Sequence, residues 1–526
     1  MTMTESRPDA ASTASGPHAP VAQGGLVGWF PTGDHKRIGR LYVVFSILLV
    51  VGGMVVAFLL GLEKADPTGY QFLPSDTVSQ LFSLYGVGTI FLGVLPLLLG
   101  VAISIVPLQV GARTIAFPRA AAASFWGWLV GSGLLIVAYT ANGGPGGGRA
   151  KAVDLFIGAF GLVVLSLLAG AVSVAATVLV ARAPGLSLGN VPVFAWSALV
   201  QTLMMLLTLP VLLGNLVFLY VDHHYARVYF GGNERLGSHI AWAMGQPQVY
   251  VYGVMVLGFA AEVTAVFGRN RLKLQPVVLG AIALFGFLGF GAFAQATFQP
   301  DYARRPLNLI MAIAAPLPVL AVLGAMAVTL RSGRPRLGAP LVYGVGSILL
   351  LGGATVMGAL TFISRLHLEG TVWHTAHADA IVAAAALTGL GALAYWGPKL
   401  TGRLASDKAL AGLAVLGVLA ALAFVVPDII NGAIHQPQDI VNYTTGNRAA
   451  NVVAAIGAVL LGVVIFDVFL LVSRSAVRGS EAGADPWSGH TLEWFTTSPP
   501  PAGNFSQPVG AIDSDRPLLD RREAAS

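Results

Sequence analysis

The segment LYVVFSILLVVGGMVVAFLLGL, residues 41–62, contains no charged side chain. A bilayer core about 30 Å thick is crossed by a helix of about 20 apolar residues, so this segment has the length and composition of a transmembrane helix. Similar apolar runs follow at approximately residues 84–108, 121–141, 153–181, 193–221, 240–267, 274–298, 306–330, 340–362, 376–397, 409–427 and 450–473. The sequence therefore predicts an all-α, polytopic membrane protein with about twelve transmembrane helices.

The composition indicates that lipid is the main solvent of this chain. Its 526 residues are 55% hydrophobic and 10% charged, whereas soluble domains carry about 25% charged residues. The net charge of +6 is dispersed over short loops, which is typical of membrane topology signals and argues against a nucleic-acid partner. Because the chain contains no cysteine, disulfides, thiolate metal sites and iron-sulfur clusters are excluded.

Three regions are predicted along the chain. Residues 1–28 are rich in Ala, Ser, Pro and Gly, which predicts a disordered N-terminal tail, and the late start of the first apolar run argues against a cleavable signal peptide. Residues 29–475 form the membrane domain, and residues 476–526 form a C-terminal tail. Lys and Arg are more frequent in the loops on the side of the N-terminus. We therefore expect a multi-pass protein of the plasma membrane with both termini in the cytoplasm.

Two histidines and one carboxylate lie close together near the start of the tenth run. His374 and His377 share one face of a helix, and Asp379 is offset from His377 by about 200°. Ionisable groups at membrane depth are costly and are candidates for functional sites. His377 is therefore a candidate ligand or a hydrogen-bonded structural histidine, and His374 is the weaker candidate of the two.

Further acids lie in or near apolar runs. Glu262 and Asp154 are close enough to helix ends to reach the membrane interface, whereas Asp467 lies deeper. Asp467 is therefore a candidate proton or ion site, or a buried protonated acid.

Four amides are predicted to form a polar patch between the sixth and seventh helices. They are Gln246, Gln248, Gln295 and Gln299. Gln295 and Gln299 share a helix face at a spacing of four residues. Amides bind metals poorly compared with imidazole, so the patch favours a polar core over a metal site.

Several loop and helix-end motifs occur in order along the chain. They are TGDHKRIG (32–39), VPLQVGAR (106–113), AFPR (116–119), TLPVL (208–212), YWGPKLTGR (395–403), DPW (485–487), TLEW (491–494) and SPPP (498–501). With these motifs the chain resembles subunit I of the haem-copper oxygen reductases, the cytochrome c oxidase type, over residues 28–505. The resemblance implies the twelve-helix arrangement of that subunit.

The resemblance also implies six histidine ligands, two for a low-spin haem, one for a high-spin haem and three for copper. At the matching positions this chain has Tyr85, Gln246, Gln295, Ala296, His377 and Asp379. His377, at the position of the high-spin haem ligand, is the histidine that is retained. Tyr250 keeps the position of the active-site tyrosine, and Gln248 replaces the proton-relaying glutamate.

Other positions that the resemblance marks as functional are also changed. Thr114 and Leu320 replace the channel aspartate and lysine, and Gln438 and Asp439 replace the pair of propionate-binding arginines. On the low-spin side we expect Asp379 to face Tyr85 and to form a short hydrogen bond with it. The sequence thus predicts no copper and at most one haem, bound through His377.

Three functions remain open on this reasoning. The first is a non-catalytic or repurposed subunit of a respiratory membrane complex, associated with subunit II-like or III-like proteins and with lipid. The second is a respiratory oxidoreductase subunit that binds one haem through His377 and contributes to electron transfer. The third is a proton or ion transporter that uses Asp467 and the polar helix core. Whether the chain is an enzyme at all is left open by its altered ligand positions.

Overall fold

The computed structural model describes residues 32–69, 72–227, 240, 246–293, 306–438 and 443–525, without the side chains of 246–250, 290–293 and 306–308. The predicted disordered tail, residues 1–28, lies outside the described residues. The helices are α1 His35–Lys64, α2 Ser75–Gln109, α3 Pro118–Thr140, α4 Ala150–Val180, α5 Val193–His224, α6 Gln246–Phe267, α7 Gln275–Phe293, α8 Pro306–Ala314, α9 Pro316–Ser332, α10 Ala339–Thr361, α11 Trp373–Thr401, α12 Asp407–Ala433, α13 Arg448–Arg478 and α14 Pro517–Ala525.

The predicted membrane-spanning architecture is confirmed. Within the described ranges, ten helices are long and apolar enough to cross a membrane, and two shorter apolar helices coincide with the sixth and seventh predicted runs. The eighth run is divided into α8 and α9 on either side of Ala315, where Pro316 removes a backbone donor. Most helices extend beyond the apolar runs because polar residues begin and end them. Asp34, for example, caps α1 by accepting a hydrogen bond from the Lys36 amide at 3.1 Å.

The centre of the bundle is formed by α2 and α11, whose most apolar windows are the most deeply buried of the candidate spans in the described structure. Small residues allow the neighbouring helices to approach them. A Cβ on Gly39 of α1 would lie 2.4 Å from the carbonyl oxygen of Gly100 in α2, so the contact requires glycine. A π-helical turn over Gly88–Val94 widens α2 just after Tyr85.

The residues that follow α13 pack across one end of the bundle, which we call the inner side. Strand β1 Arg403–Leu404 pairs antiparallel with β2 Ser480–Glu481. Asn504 accepts hydrogen bonds from His35 at 2.9 Å and Lys36 at 3.0 Å, and donates one to the Ala112 carbonyl at 2.8 Å. The beginning of α1 and the C-terminal segment therefore lie on the same side of the bundle.

Candidate functional site

Tyr85 and Asp379 meet between the two central helices. The Tyr85 hydroxyl donates to Asp379 Oδ1 at 2.6 Å, so the hydrogen bond predicted from the sequence is present. Asp379 lies on a buried stretch of α11, whereas α2 is only partly buried around Tyr85 and becomes fully buried from Thr89 onwards. The two side chains are thus hydrogen-bonded to each other between α2 and α11.

A second polar pair lies next to Tyr85 and Asp379. Lys64, at the end of α1, forms an ion pair with Asp428 of α12 at 2.7 Å, and both side chains are largely buried. The two pairs line a cavity of about 60 Å³, together with Thr375 and mostly apolar side chains. By volume this cavity has room for only a few water molecules. No sequence motif links Lys64 with Asp428, which lie far apart in the chain, so this ion pair was not predicted.

Gln436, Tyr443 and Asn451 enclose the same end of the bundle. Asn451 donates to Gln436 Oε1 at 3.3 Å and to the Tyr443 hydroxyl at 2.9 Å, and Tyr443 donates to the Lys64 carbonyl at 2.7 Å. These contacts fix the end of α1 that carries Lys64. Asn451 and Tyr443 are thus satisfied by one another and by the Lys64 carbonyl, whereas the buried Gln436 Nε2 has no hydrogen-bond partner among the described residues.

His377 lies on the other side of α11 and contacts α10. A Cβ on Gly358 would lie 2.7 Å from His377 Cε1, so glycine makes room for the ring. His377 Nε2 is buried and has no hydrogen-bond partner among the described residues. An unpaired imidazole nitrogen is the atom that a haem iron would take as its axial ligand.

The other predicted neighbours of His377 are placed differently or are not described. His374 is exposed in the first turn of α11 and is not brought into a site with His377. Gln246, Gln248 and Tyr250 lie on the first turns of α6, where the described structure contains backbone alone. Gln295, Ala296 and Gln299 lie outside the described residues. Over the described ranges, no group of three or more His, Asp or Glu side chains is arranged to hold a metal.

Asp467 corrects one of the sequence expectations. Its side chain is exposed on the outward face of α13, beside the exposed ring of Phe466. With 3.6 residues per turn, Asp467 lies on the face of α13 opposite its buried face, to which Ala458, Leu461 and Val468 belong. Asp467 is therefore neither a buried acid nor part of a polar helix core within the described structure.

Glu262 lies near the end of α6, as expected, but its side chain is buried. It is buried beneath the C-terminal segment in what we call the inner polar cluster, formed by Gln109, Glu262, Trp396, Thr491 and Glu493. Gln109 Nε2 donates to Glu262 Oε1 at 3.3 Å and to Glu493 Oε1 at 3.1 Å, and Trp396 donates to Glu493 Oε1 at 3.1 Å. Burial raises the pKa of Glu493 because an ionised carboxylate is poorly solvated there.

Asp154 reaches the helix end as expected and has partners there. Its two carboxylate oxygens accept from His223 Nδ1 at 2.8 Å and His224 Nδ1 at 2.9 Å. This cluster joins the start of α4 to the end of α5. It therefore ties these two helix ends together at the side of the bundle opposite the inner side.

Comparisons with known proteins agree with this architecture. Residues 37–460 match the family model "Cytochrome C and Quinol oxidase polypeptide I". The chain therefore belongs to this family, that of haem-copper oxidase subunit I. It is 30% identical over 529 residues to the putative cytochrome c oxidase subunit 1-beta of Streptomyces coelicolor, with 94% of this chain and 90% of that protein covered.

Two other relatives bear on the same point. The cytochrome c oxidase subunit 1 of Bacillus subtilis is 28% identical over 505 residues, with 91% of this chain and 80% of that protein covered. The heme-copper oxidase subunit I+III of Aeropyrum pernix is 32% identical over 512 residues, which is 91% of this chain and 61% of that longer protein. The chain is thus a multi-pass membrane protein of the subunit I type.

Proposed function

We propose that this protein is a non-catalytic or repurposed member of the subunit I family that serves within a respiratory membrane complex. The observation that carries the proposal is the 2.6 Å hydrogen bond between Tyr85 and Asp379. The resemblance assigns these two positions to the axial ligands of the low-spin haem. Six-coordinate haem of this kind is held by neutral imidazole or similar donors, and neither a tyrosine hydroxyl nor a carboxylate engaged in a short hydrogen bond fits that requirement.

The surroundings of the pair support the same conclusion. A haem between Tyr85 and Asp379 would have to separate two hydrogen-bonded oxygens and displace the Lys64–Asp428 ion pair. Breaking a buried charged pair is costly because it leaves an unpaired charge. A cavity of about 60 Å³ is also small beside the pockets of about 300–1,000 Å³ that hold organic ligands.

The absence of copper is proposed on sequence grounds. Gln246, Gln295 and Ala296 stand at the three copper positions that the resemblance implies. Copper in proteins is bound by imidazole, thiolate or thioether groups, and amides and alanine do not replace them. Without copper and a low-spin haem, the oxygen-reducing reaction of the family has no centre in this chain.

An absorption spectrum and metal analysis of the protein purified in mild detergent test the proposal. We expect no low-spin haem signal and no stoichiometric copper, and expression should not restore oxygen consumption to cells that lack their terminal oxidases. Paired low-spin and high-spin haem signals with about one copper per chain would overturn the proposal. Loss of a copper signal in a Gln246 or Gln295 variant would show that this glutamine binds copper.

A second candidate function is suggested by His377. Its buried Nε2 atom has no partner among the described residues, so one axial ligand is available for a single five-coordinate haem in an electron-transfer subunit. The missing propionate arginines, replaced by Gln438 and Asp439, weigh against tight binding. A single Soret band that disappears in His377→Ala, with His374→Ala as the matched control, would establish this function. A band that survives His377→Ala would exclude His377 as its ligand.

Association with other membrane subunits is proposed from the outward face of α13. Asp467 is exposed there, within a membrane-spanning helix. Carboxylates within membranes normally face protein or water rather than lipid, so a partner helix supplies the missing polar contact. Co-purification in gentle detergents should recover a subunit II-like or III-like companion, and Asp467→Leu should reduce its yield. A clean monomer in several mild detergents would contradict this proposal.

Orientation in the plasma membrane, with both termini in the cytoplasm, is proposed from the loop charges. The contact of Asn504 with His35 supports one shared side for the two ends of the described chain. The C-terminal segment, proposed here as a cytoplasmic tail over 476–526, would be cleaved by protease in inside-out vesicles. Cleavage from the outside of intact cells would show the opposite orientation.

A further inference from the structure

A large cavity lies at the inner side, where the C-terminal segment meets the ends of the helices. It has a volume of about 370 Å³ and is lined by Arg269, Arg336 and Arg522, together with His490, Trp487 and Ser488. The three arginines come from separate parts of the chain. They belong to the segment after α6, the segment before α10, and helix α14. We call this cavity the arginine pocket.

The backbone holds two of these arginines in place. The Arg269 amide donates to the Val266 carbonyl at 3.1 Å, and the Arg336 amide donates to the Phe267 carbonyl at 2.8 Å. A Cβ on Gly333 would lie 2.1 Å from the Gly268 carbonyl oxygen, so the close contact of the two segments requires glycine. The pocket wall is therefore built by specific contacts between two loops.

Positive charge is left over in the pocket after the local ion pairs are formed. Among nearby acids, Glu523 pairs with Arg271, Asp515 and Asp520 pair with Arg516, and Asp485 pairs with Arg522 at 3.5 Å. Within the described residues, Arg269 and Arg336 form no ion pair with a carboxylate. The positive-inside rule explains arginines at this surface, but not their convergence from three segments on one cavity.

The remaining lining groups add hydrogen-bond donors and an apolar wall. Burial, followed by the nearby Arg522 and Arg516, lowers the pKa of His490 to about 4, so near neutral pH it is an uncharged imidazole. The Trp487 ring packs 5.6 Å from the Phe267 ring and closes one side of the pocket. Arg522 also donates to the Ser488 carbonyl at 3.0 Å, which ties α14 to the pocket rim.

We propose that the arginine pocket binds a phosphate-bearing anion at the inner surface, either free in solution or as the headgroup of a phospholipid. Guanidinium groups bind phosphate oxygens through paired, charge-assisted hydrogen bonds. Basic pockets beside membrane helices are a known type of site for anionic lipid headgroups. The site is separate from Tyr85, Asp379 and His377, so it does not depend on the function proposed above.

The test uses the full-length protein in a neutral detergent. Calorimetric titration with pyrophosphate, against chloride at equal ionic strength, measures binding of a free anion, and native mass spectrometry with phosphatidylglycerol or phosphatidylcholine measures lipid retention. Arg269→Gln and Arg336→Gln should each weaken binding about tenfold. Arg331→Gln, an exposed arginine of the same side outside the pocket, is the matched control and should bind as the wild type does.

The two ligand arms identify the source of the phosphate group. Arginine-dependent binding of pyrophosphate indicates a free anion, and arginine-dependent retention of phosphatidylglycerol over phosphatidylcholine indicates a lipid headgroup. Thermal unfolding of each variant verifies that the fold is kept, as expected for exposed side chains. If Arg269→Gln and Arg336→Gln match Arg331→Gln with both ligands, the proposal is wrong.

Discussion

The ligand positions between α2 and α11 differ from the inner polar cluster in how far they keep the residues that the family resemblance implies. At the first, the histidines that the family resemblance implies are replaced, and Tyr85 and Asp379 bind each other. At the second, residues of the retained motifs make dense contacts, as Gln109 and Trp396 do with Glu493. The difference shows that residues of these motifs attach the C-terminal segment to the helices, at a place separate from Tyr85 and Asp379.

Replacing Lys399, which attaches the C-terminal segment to α11, should lower the stability of the protein the most. Its Nζ donates to the carbonyl oxygens of Ala484 at 2.8 Å and Thr496 at 2.7 Å. Lys399→Ala would remove the donor to both carbonyl groups and leave the buried one, that of Thr496, unsatisfied, so we expect the free energy of unfolding to fall by about 2–4 kcal/mol. Thermal unfolding in detergent measures the loss. Lys408→Ala, at an exposed lysine, is the control. Equal stability of the two variants would show that the Lys399 hydrogen bonds do not stabilise the attachment of the C-terminal segment.

Tyr85→Phe should have the next largest effect. It removes the donor to Asp379 and should lower the free energy of unfolding by about 1–3 kcal/mol. Tyr139→Phe, which removes a 3.0 Å hydrogen bond to Ser83 in the same part of the membrane, is the matched control. Replacing both partners, in Tyr85→Phe with Asp379→Leu, should recover part of the loss. If the double variant loses more unfolding free energy than the two single variants together, Tyr85 and Asp379 contribute through contacts other than their mutual hydrogen bond.

The buried carboxyl group of Glu493 should make the stability of the protein moderately dependent on pH. Its pKa is raised in the folded protein by burial, so folding favours the protonated acid. The stability from this group is complete below the ordinary value of 4.5 and is lost as pH rises towards the folded pKa, by about 1.4 kcal/mol for each unit of separation. Glu262, Gln109, Trp396 and Thr491 face the same carboxyl group. Thermal unfolding over this pH window should be flatter in Glu493→Gln, and equal slopes would contradict the prediction.

Asp467→Asn should have the smallest effect on the chain itself. Because the side chain is exposed, we expect the free energy of unfolding of the isolated chain to change by less than about 0.5 kcal/mol. Glu262→Gln, in the buried cluster, provides the contrast and should change it more. A large loss of stability in Asp467→Asn would indicate that the acid is engaged within the bundle after all.

The sequence was sufficient for the fold and for one contact of the site. Apolar runs fix the membrane helices because each run must span a layer of known thickness. The Tyr85 to Asp379 contact was accessible because the resemblance places both positions around one haem. The Lys64–Asp428 ion pair and the arginine pocket were not, since they join segments far apart in the chain that no motif links. The burial of Glu262 and the exposure of Asp467 were not predicted, because apolar neighbours in sequence do not tell whether a helix face is covered.

The decisive measurement is the absorption spectrum of the purified, full-length protein, recorded with metal analysis of the same sample. We expect no copper, no low-spin haem, and at most one haem per chain whose signal is lost in His377→Ala. A low-spin haem signal that is lost in Tyr85→Phe or Asp379→Asn would show that these two residues ligate iron, and would contradict the account.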